Sequence, residues 1–229
     1  KSSYMKPAPI PPWTPVPPPT ATPNASSYYN KGEEYRKAEN WAMAIGEYTK
    51  AIQVNPNYED AYFYRAWSYD ELGQYQNSIN DLTKAIQLDP DDADNYNNRG
   101  ISYYSLGQYQ NSINDYTKAI QIGPTAQRHT NRGISYMNLG QYQTAINDYT
   151  KAIQLDPEYV NAYVNRGVAY APIGQHQLAI NDYTKAIQIG GTHDALAYNN
   201  RSNRYRALGQ YTLADADKTM ACSLDSKYC

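Results

Sequence analysis

The sequence LGQYQNSINDYTKAI, at residues 106–120, recurs as near-copies that begin at Leu72, Leu139 and Ile173. Four prolines keep the same interval, with spacings of 34, 34 and 33 residues between Pro56, Pro90, Pro124 and Pro157. A catalytic site needs different residues that converge on one point, whereas repetition rebuilds the same surface at a fixed offset. The repeats therefore predict one elongated array of like units.

Small side chains at fixed positions indicate that each unit contains two closely packed helices. In every unit a small residue is followed three residues later by tyrosine, and these small residues are Gly32, Ala66, Gly100, Gly133, Gly167 and Ser202. Spacings of three and four residues place one apolar stripe on each helix, and small side chains let the two axes approach closely. Glycines that can end the first helix lie between the stripes at Gly73, Gly107, Gly140, Gly174 and Gly209. Such a hairpin buries its apolar face only by stacking on its neighbours.

This order of small and aromatic positions closely resembles the tetratricopeptide repeat family over residues 25 to about 228. The resemblance implies an all-α fold, a right-handed α-solenoid of six helical hairpins that spans residues 25–229. The expected repeat boundaries are 25–58, 59–92, 93–125, 126–159, 160–194 and 195–228.

Residues 1–24 differ from the rest of the chain and hold most of its fourteen prolines. The segment, KSSYMKPAPIPPWTPVPPPTATPN, has neither helical nor strand periodicity. Such a composition favours polyproline II, which serves as a spacer or as a ligand for an aromatic groove. We expect an extended, Pro-rich N-terminal arm.

The charge balance argues against nucleic acid or an anionic membrane surface as partners. The formal net charge is only −2, so no long-range field attracts either one. No apolar run is long enough to predict a transmembrane segment. The sequence begins at Lys1 rather than Met, as it would after cleavage of an export signal or excision of a fragment. On this basis we expect an extracellular or cell-surface protein.

No group of residues in the sequence indicates catalysis. His129 and His176 stand where sibling repeats have tyrosine, which favours packing roles over metal binding. Neither a Gly-rich phosphate loop nor a calcium-loop spacing is present. We therefore predict a protein that is not an enzyme and that needs no cofactor and no metal.

Asparagines recur two residues before the small residue of the first helix. These form what we call the asparagine ladder: Asn30, Asn98, Asn131, Asn165 and Asn200, with Tyr64 interrupting the series in the second repeat. In tetratricopeptide proteins that capture extended peptides, an asparagine at this position lines the concave face and hydrogen-bonds the peptide main chain. The resemblance thus implies a peptide-binding groove, because an amide can donate and accept together. The competing interpretation is that these amides only meet water.

Opposite charges recur on the paired helices and suggest an ion-pair ladder that holds the hairpins in register. The basic members are Arg65, Arg99, Arg132, Arg166 and Arg201, and the acidic members are Asp81, Asp115, Asp148, Asp182 and Asp217. For four of the aspartates a lysine three residues later is an alternative partner: Lys84, Lys118, Lys151 and Lys185.

Three further features bear on processing. Cys222 and Cys229 are either two thiols or a disulfide, and a bond requires the last helix to end before Cys229. Asn24 begins an acceptor pattern for N-glycans, and Pro-flanked threonines that could carry O-glycans are Thr14, Thr20 and Thr22.

Together these features predict a non-enzymatic scaffold for protein–protein interaction. Our leading hypothesis is a secreted subunit that self-assembles into an extracellular filament or tube, through repeat stacking and docking of the arm into a neighbour's groove. The alternative is a non-polymerising adaptor that binds an extended peptide segment of another protein and is tethered to a membrane through the N-terminal linker. An accessory domain of a larger enzyme is a third interpretation.

Overall fold

The computed structural model describes residues 24–190 and 195–229, which form twelve α-helices arranged as six hairpins. The first helices are α1 (Ala25–Lys37), α3 (Glu59–Glu71), α5 (Ala93–Ser105), α7 (Ala126–Asn138), α9 (Val160–Tyr170) and α11 (Ala195–Ala207). The second helices are α2 (Trp41–Val54), α4 (Tyr75–Leu88), α6 (Tyr109–Ile122), α8 (Tyr142–Leu155), α10 (His176–Gly190) and α12 (Tyr211–Leu224). Short 3₁₀ turns span Ala171–Ile173 and Ser226–Tyr228. The predicted all-α solenoid of helical hairpins is confirmed.

The turn inside each hairpin depends on one residue in the left-handed conformation. Gly107, for example, has φ +73° directly after the C-cap of α5, a conformation that glycine adopts without steric cost. The first hairpin places Glu39 there instead, with φ 56°. The sequence-predicted glycine turns are thus present in the five later hairpins.

In the first, third, fourth and fifth hairpins the core forms where a glycine of the first helix meets a tyrosine ring of the second. A Cβ added to Gly100 would lie 2.8 Å from Cε1 of Tyr116, so only glycine leaves room for that ring. In the second repeat the corresponding residues are Ala66 and Leu82, which are both fully buried. A larger first-helix residue is therefore matched by a smaller second-helix residue.

Each hairpin packs on the next through its second helix, as α2 does on α3 and α4 does on α5. First helices of neighbouring repeats also contact one another, as α5 does with α7, whereas no two second helices among the described residues pack comparably. The stack therefore curves with its first helices inside, and we call the surface that they form the inner face. None of the described helices is both long and apolar enough to cross a membrane.

The predicted arm, residues 1–24, lies outside the described residues except for Asn24. The side-chain oxygen of Asn24 accepts a hydrogen bond from the backbone N–H of Ser27 at 2.8 Å and so caps α1. Thr14, Thr20 and Thr22 also lie outside the described residues, and so their glycosylation stays a prediction.

Candidate functional site

The asparagine ladder lies along the first helices, but its amides differ in what they bond. Nδ2 of Asn98 donates to the Asp94 carbonyl at 3.0 Å, and Nδ2 of Asn165 donates to the Asn161 carbonyl at 2.8 Å. Both partners are four residues back on the same helix, so these donors are engaged locally. Their side-chain oxygens are the groups that remain to accept from a ligand.

The remaining ladder members have other surroundings. Asn131 donates to the Oδ1 of Asn97 in the preceding repeat at 3.3 Å. Asn30 is exposed on α1, and Asn200 lines a cavity beside Val168. The ladder is thus a row of amides with mixed partners rather than one uniform hydrogen-bonded array.

Three cavities on the inner face each combine an apolar side chain of one repeat with a ladder asparagine of the next. Their volumes are about 190, 260 and 120 Å³. The apolar and amide pairs are Trp67 with Asn98, Ile101 with Asn131, and Val168 with Asn200. Trp67, Ile101 and Val168 are 43%, 36% and 37% exposed. The inner face therefore presents an apolar row beside the amides.

This apolar row was missed in the sequence although its signal is present. Its members directly follow the small first-helix residues, at Trp67, Ile101, Ile134 and Val168. The repeat position of a residue does not by itself show whether its side chain lies on the inner face or in the core. The stacking of the first helices determines this, and it is not visible in the sequence.

The break in the asparagine ladder at Tyr64 coincides with an aromatic cluster. The Tyr64 and Trp67 rings stack at 6.2 Å between centroids, and Phe63 meets Tyr64 edge-on at 5.1 Å. The Arg36 guanidinium lies 5.0 Å from the Tyr64 ring centroid and 5.1 Å from that of Trp67. The second repeat thus replaces an amide by aromatic rings that already attract a cation.

The cavity of the second repeat also contains two carboxylates. It lies between α3 and α5 and is lined by Phe63, Trp67, Asp70, Glu71, Asn98 and Ile101. Oδ1 and Oδ2 of Asp70 accept from the Ser102 hydroxyl at 2.8 and 3.0 Å. Burial raises the pKa of Asp70 to about 6, although hydrogen bonds from Ser102 and Ser78 act in the opposite direction. We call this cavity the repeat-two pocket.

The structure forms each pair of the proposed ion-pair ladder as a bidentate contact within one hairpin. Arg99, for example, donates from Nε and Nη2 to the two carboxylate oxygens of Asp115 at 2.7 and 2.8 Å. The other pairs have the same geometry: Arg65–Asp81, Arg132–Asp148, Arg166–Asp182 and Arg201–Asp217. In the first repeat Glu47 instead meets Lys31 at 3.5 Å and Lys50 at 2.7 Å, so the alternative lysine partner is used only there among the described pairs.

A threonine of the preceding repeat completes each arginine contact and was missed in the sequence. The Nη1 atoms donate to the hydroxyls of Thr49, Thr83, Thr117, Thr150 and Thr184. The recurring YTKAI and LTKAI segments contained the signal. Each arginine therefore links its own hairpin to the previous one, which is a structural role.

His129 occupies a tyrosine position in the fourth repeat and is buried beside the ion-pair ladder. Its Nδ1 lies 3.1 Å from Oδ1 of Asp148. Burial would raise the pKa of Asp148, but hydrogen bonds from Arg132 and His129 lower it below its ordinary value. The histidine thus has a carboxylate partner inside the scaffold.

The C-terminal cysteines lie on either side of the end of α12. This helix ends at Leu224, and Cys222 and Cys229 are joined by a disulfide with 4.7 Å between their Cα atoms. Leu224 and Tyr228 pack on the core of the fifth and sixth repeats. The bond therefore closes a short tail onto the last hairpin.

Comparisons with known proteins agree with this architecture. Models described as tetratricopeptide repeat match residues 25–58, 47–80, 93–125 and 160–189, and a model described as TPR repeat matches 68–107 and 133–174. No curated protein sequence matches the chain significantly.

Several solved structures share the fold. The MamA protein has a TM-score of 0.68 and 25% identity, over 72% of this chain and 91% of that one. PilW, a type IV pilus biogenesis factor, has a TM-score of 0.78 and 20% identity, over 90% and 94% of the two chains. YrrB, described as a TPR protein with an unusual peptide-binding site, has a TM-score of 0.63 and 20% identity, over 78% and 92%. The present chain therefore belongs to the tetratricopeptide repeat family, and it is a scaffold for protein–protein interaction.

Proposed function

We propose that the inner face binds an extended peptide segment. The observation that carries this proposal is the pairing of an apolar side chain with a ladder asparagine in three inner-face cavities. An extended peptide turns side chains to one side at a regular interval, every second residue in a strand and every third in polyproline II. Those side chains could enter the cavities while its main chain meets the amide oxygens. YrrB, which has the same fold, is described as having a peptide-binding site, which supports this use of the fold.

We further propose that the bound segment is the Pro-rich arm, residues 1–24, of this chain or of a neighbouring copy. A proline-rich segment loses little conformational entropy on binding because it is already extended. It has no helical periodicity that would favour a packed hairpin. The arm is thus a ligand for the groove that the chain itself supplies.

A direct test uses a variant that lacks residues 1–23 and a synthetic peptide of residues 1–24. Calorimetric titration should show saturable binding, and Ile134→Ser should weaken it by about tenfold because apolar area is lost from the contact. Leu155→Ser is the matched control, since Leu155 is 44% exposed at the end of the second helix α8. No saturable binding, or equal weakening by both substitutions, would contradict the proposal.

Self-assembly is the second candidate, and the last repeat supplies the observation that favours it. Thr219 occupies the position at which other threonines accept from the arginine of the following repeat, and its hydroxyl bonds only the Asp215 carbonyl of its own helix among the described residues. Apolar side chains at the start of the same helix α12 are also exposed, with Tyr211 at 66% and Leu213 at 50%. In the first repeat the equivalent of those arginines is Lys31, whose side chain is 52% exposed. Head-to-tail stacking of two copies would bring such complementary ends together.

Electron microscopy of the purified full chain at several concentrations tests assembly. Filaments or tubes would support a polymer, and deletion of residues 1–23 should then abolish them while far-UV circular dichroism stays unchanged. Dispersed monomers at every concentration would contradict self-assembly and favour an adaptor that binds a peptide of another protein.

We propose an extracellular or cell-surface location. The joined pair Cys222–Cys229 supports it because disulfides persist in oxidising compartments and are rare in the cytosol. Labelling of protein from its natural source with a maleimide should modify both cysteines only after reduction. Full labelling without reductant would contradict the proposal.

A further inference from the structure

The repeat-two pocket is the place where the inner face departs furthest from its repeated pattern. Asp70 has no acidic counterpart in any sibling repeat, where the same position holds Arg36, Tyr104, Met137, Ala171 and Arg206. Trp67 is also without an aromatic counterpart, since the same position in the sibling repeats holds Glu33, Ile101, Ile134, Val168 and Asn203. Stacking of the hairpins does not require these residues, because the other repeats stack without them. The presence of Asp70 and Trp67 in one repeat therefore needs a reason other than stacking.

The two carboxylates of the pocket have no cationic partner in the described part of the chain. Asp70 accepts from Ser102, whose hydroxyl also lies 3.0 Å from the hydroxyl of Ser78. Glu71 accepts from Nε1 of Trp67 at 3.1 Å. These donors are all neutral, so they orient the carboxylates and leave their negative charge uncompensated.

The cation beside Trp67 does not neutralise the pocket. Arg36 lies 5.1 Å from the Trp67 ring centroid, but its Nε and Nη2 atoms donate to the two carboxylate oxygens of Glu33 at 2.7 and 2.8 Å. The charge of Arg36 is therefore balanced by Glu33. With Asp70 and Glu71 unpaired, the region retains net negative charge.

The walls and size of the pocket restrict the kind of cation that fits. Phe63, Trp67 and Ile101 supply apolar surface, and the volume is about 190 Å³. This is smaller than the roughly 300 Å³ at which drug-sized ligand sites begin. No group of three His, Cys, Asp or Glu residues among the described residues could hold a metal ion. The chemistry suits an organic cation on an apolar stem, with an aromatic ring against it.

We propose that the repeat-two pocket receives one lysine or arginine side chain of the bound peptide. The methylene stem lies against Trp67 and Ile101, and the cation meets Asp70 and Glu71. This inference rests on the proposed peptide-binding function and adds to it a position-specific requirement for a basic residue. The asparagine ladder and the apolar row would bind peptides of many different sequences. The repeat-two pocket would fix the register, because it requires a basic residue at one position of the peptide.

The test uses the full chain and small probes that isolate the side chain. The probes are the N-acetyl methylamides of lysine, arginine and norleucine, and the readout is the indole N–H signal of Trp67 in a ¹⁵N-labelled sample. The lysine and arginine probes should shift this signal saturably. Norleucine has a similar stem without the charge, and it should bind at least about tenfold more weakly because charge-assisted hydrogen bonds are lost.

Two variants separate charge recognition from folding. Asp70→Asn should weaken the lysine probe at least about tenfold, and Glu71→Gln is a second test in case the first substitution disturbs the helix. Asp91→Asn makes the same charge change at an exposed residue between α4 and α5 and should leave binding unchanged. Equal binding of norleucine and lysine, or no Trp67 shift with any probe, would overturn the inference. That failure is distinct from failure of the proposed function, which is decided by the peptide of residues 1–24 and Ile134→Ser.

Discussion

Arg99 and Thr83 join two consecutive repeats through a hydrogen bond of 3.1 Å from Nη1 to Oγ1. The same guanidinium holds Asp115 of its own hairpin with two bonds. In a repeat protein the stability of the array depends on each repeat and on its interfaces with its neighbours. Arg99 contributes to both terms because one planar group reaches both elements.

Replacement of Arg99 should destabilise the folded protein. We expect Arg99→Ala to lower the free energy of unfolding by about 3 kcal/mol, because it leaves the largely buried Asp115 carboxylate without its partner. Arg99→Lys should fall between wild type and alanine, since an ammonium cannot reproduce the bidentate contact. Urea unfolding followed by circular dichroism measures both effects.

A double replacement is the control for Arg99→Ala. Arg99→Met with Asp115→Leu removes both charges and keeps apolar volume, and it should cost less than Arg99→Ala alone. A double variant that is as unstable as the alanine variant would contradict the view that an unpaired carboxylate is the main cost.

The bond between repeats can be measured separately at the threonine. Thr83→Val should destabilise the array by about 1 kcal/mol, because one donor of Arg99 loses its acceptor. Thr219→Val is the matched control, since both hydroxyls also donate to the carbonyl four residues back but Thr219 bonds no arginine among the described residues. Equal effects of the two substitutions in urea unfolding would show that the arginine contact contributes little.

Repetition explains how much of this structure could be predicted from the sequence. Three features recur several times along the chain: the hairpins, the turn at Gly107 and the contact between Arg99 and Asp115. Their positions can therefore be predicted from the repeat period alone, without knowledge of the tertiary structure. The role of Thr83 was missed because its partner belongs to the next repeat and is reached only after stacking.

The repeat-two pocket could not be predicted for the opposite reason. Trp67 and Asp70 occur at their positions once, and a pattern based on shared positions treats such residues as exceptions. The asparagine ladder was found, yet its hydrogen bonds were not, because Asn98 bonds its own helix while Asn131 bonds the preceding repeat. Both bonds lie within reach of the same side chain, and the local packing decides between them.

Two glycines in helices should respond in opposite directions to alanine. Gly100→Ala should lower the free energy of unfolding by about 2 kcal/mol, because its Cβ would meet the Tyr116 ring carbon at 2.8 Å in a closely packed core. Gly46→Ala should raise it by about 0.5 to 1 kcal/mol, since no atom lies within 4 Å of that Cβ and alanine favours the helix. Thermal unfolding of the two variants checks the pair, and stabilisation by Gly100→Ala would contradict the packing argument.

Asp70 should reduce the stability of the free protein at neutral pH. Burial raises its folded-state pKa from 3.8 to about 6, with Glu71 as the neighbouring acid and Ser102 and Ser78 as donors. An acid whose pKa is raised on folding destabilises the native state above the folded pKa, and the penalty disappears as pH falls below the unfolded value. Asp70→Asn removes the charge and should therefore stabilise the chain at pH 7.5.

We expect that gain to be about 1 to 2 kcal/mol, which is less than the pKa shift alone implies because Asp70 is only partly buried and solvent screens its charge. The gain should shrink as pH falls from 6 towards 3.8. Urea unfolding of wild type and Asp70→Asn at pH 7.5, 5 and 4 measures it, with Asp91→Asn as the control that should change little at each pH. If Asp70→Asn is destabilising at pH 7.5, the carboxylate stabilises the fold. If it is stabilising and also weakens the lysine probe, Asp70 is a residue that costs stability and contributes to binding.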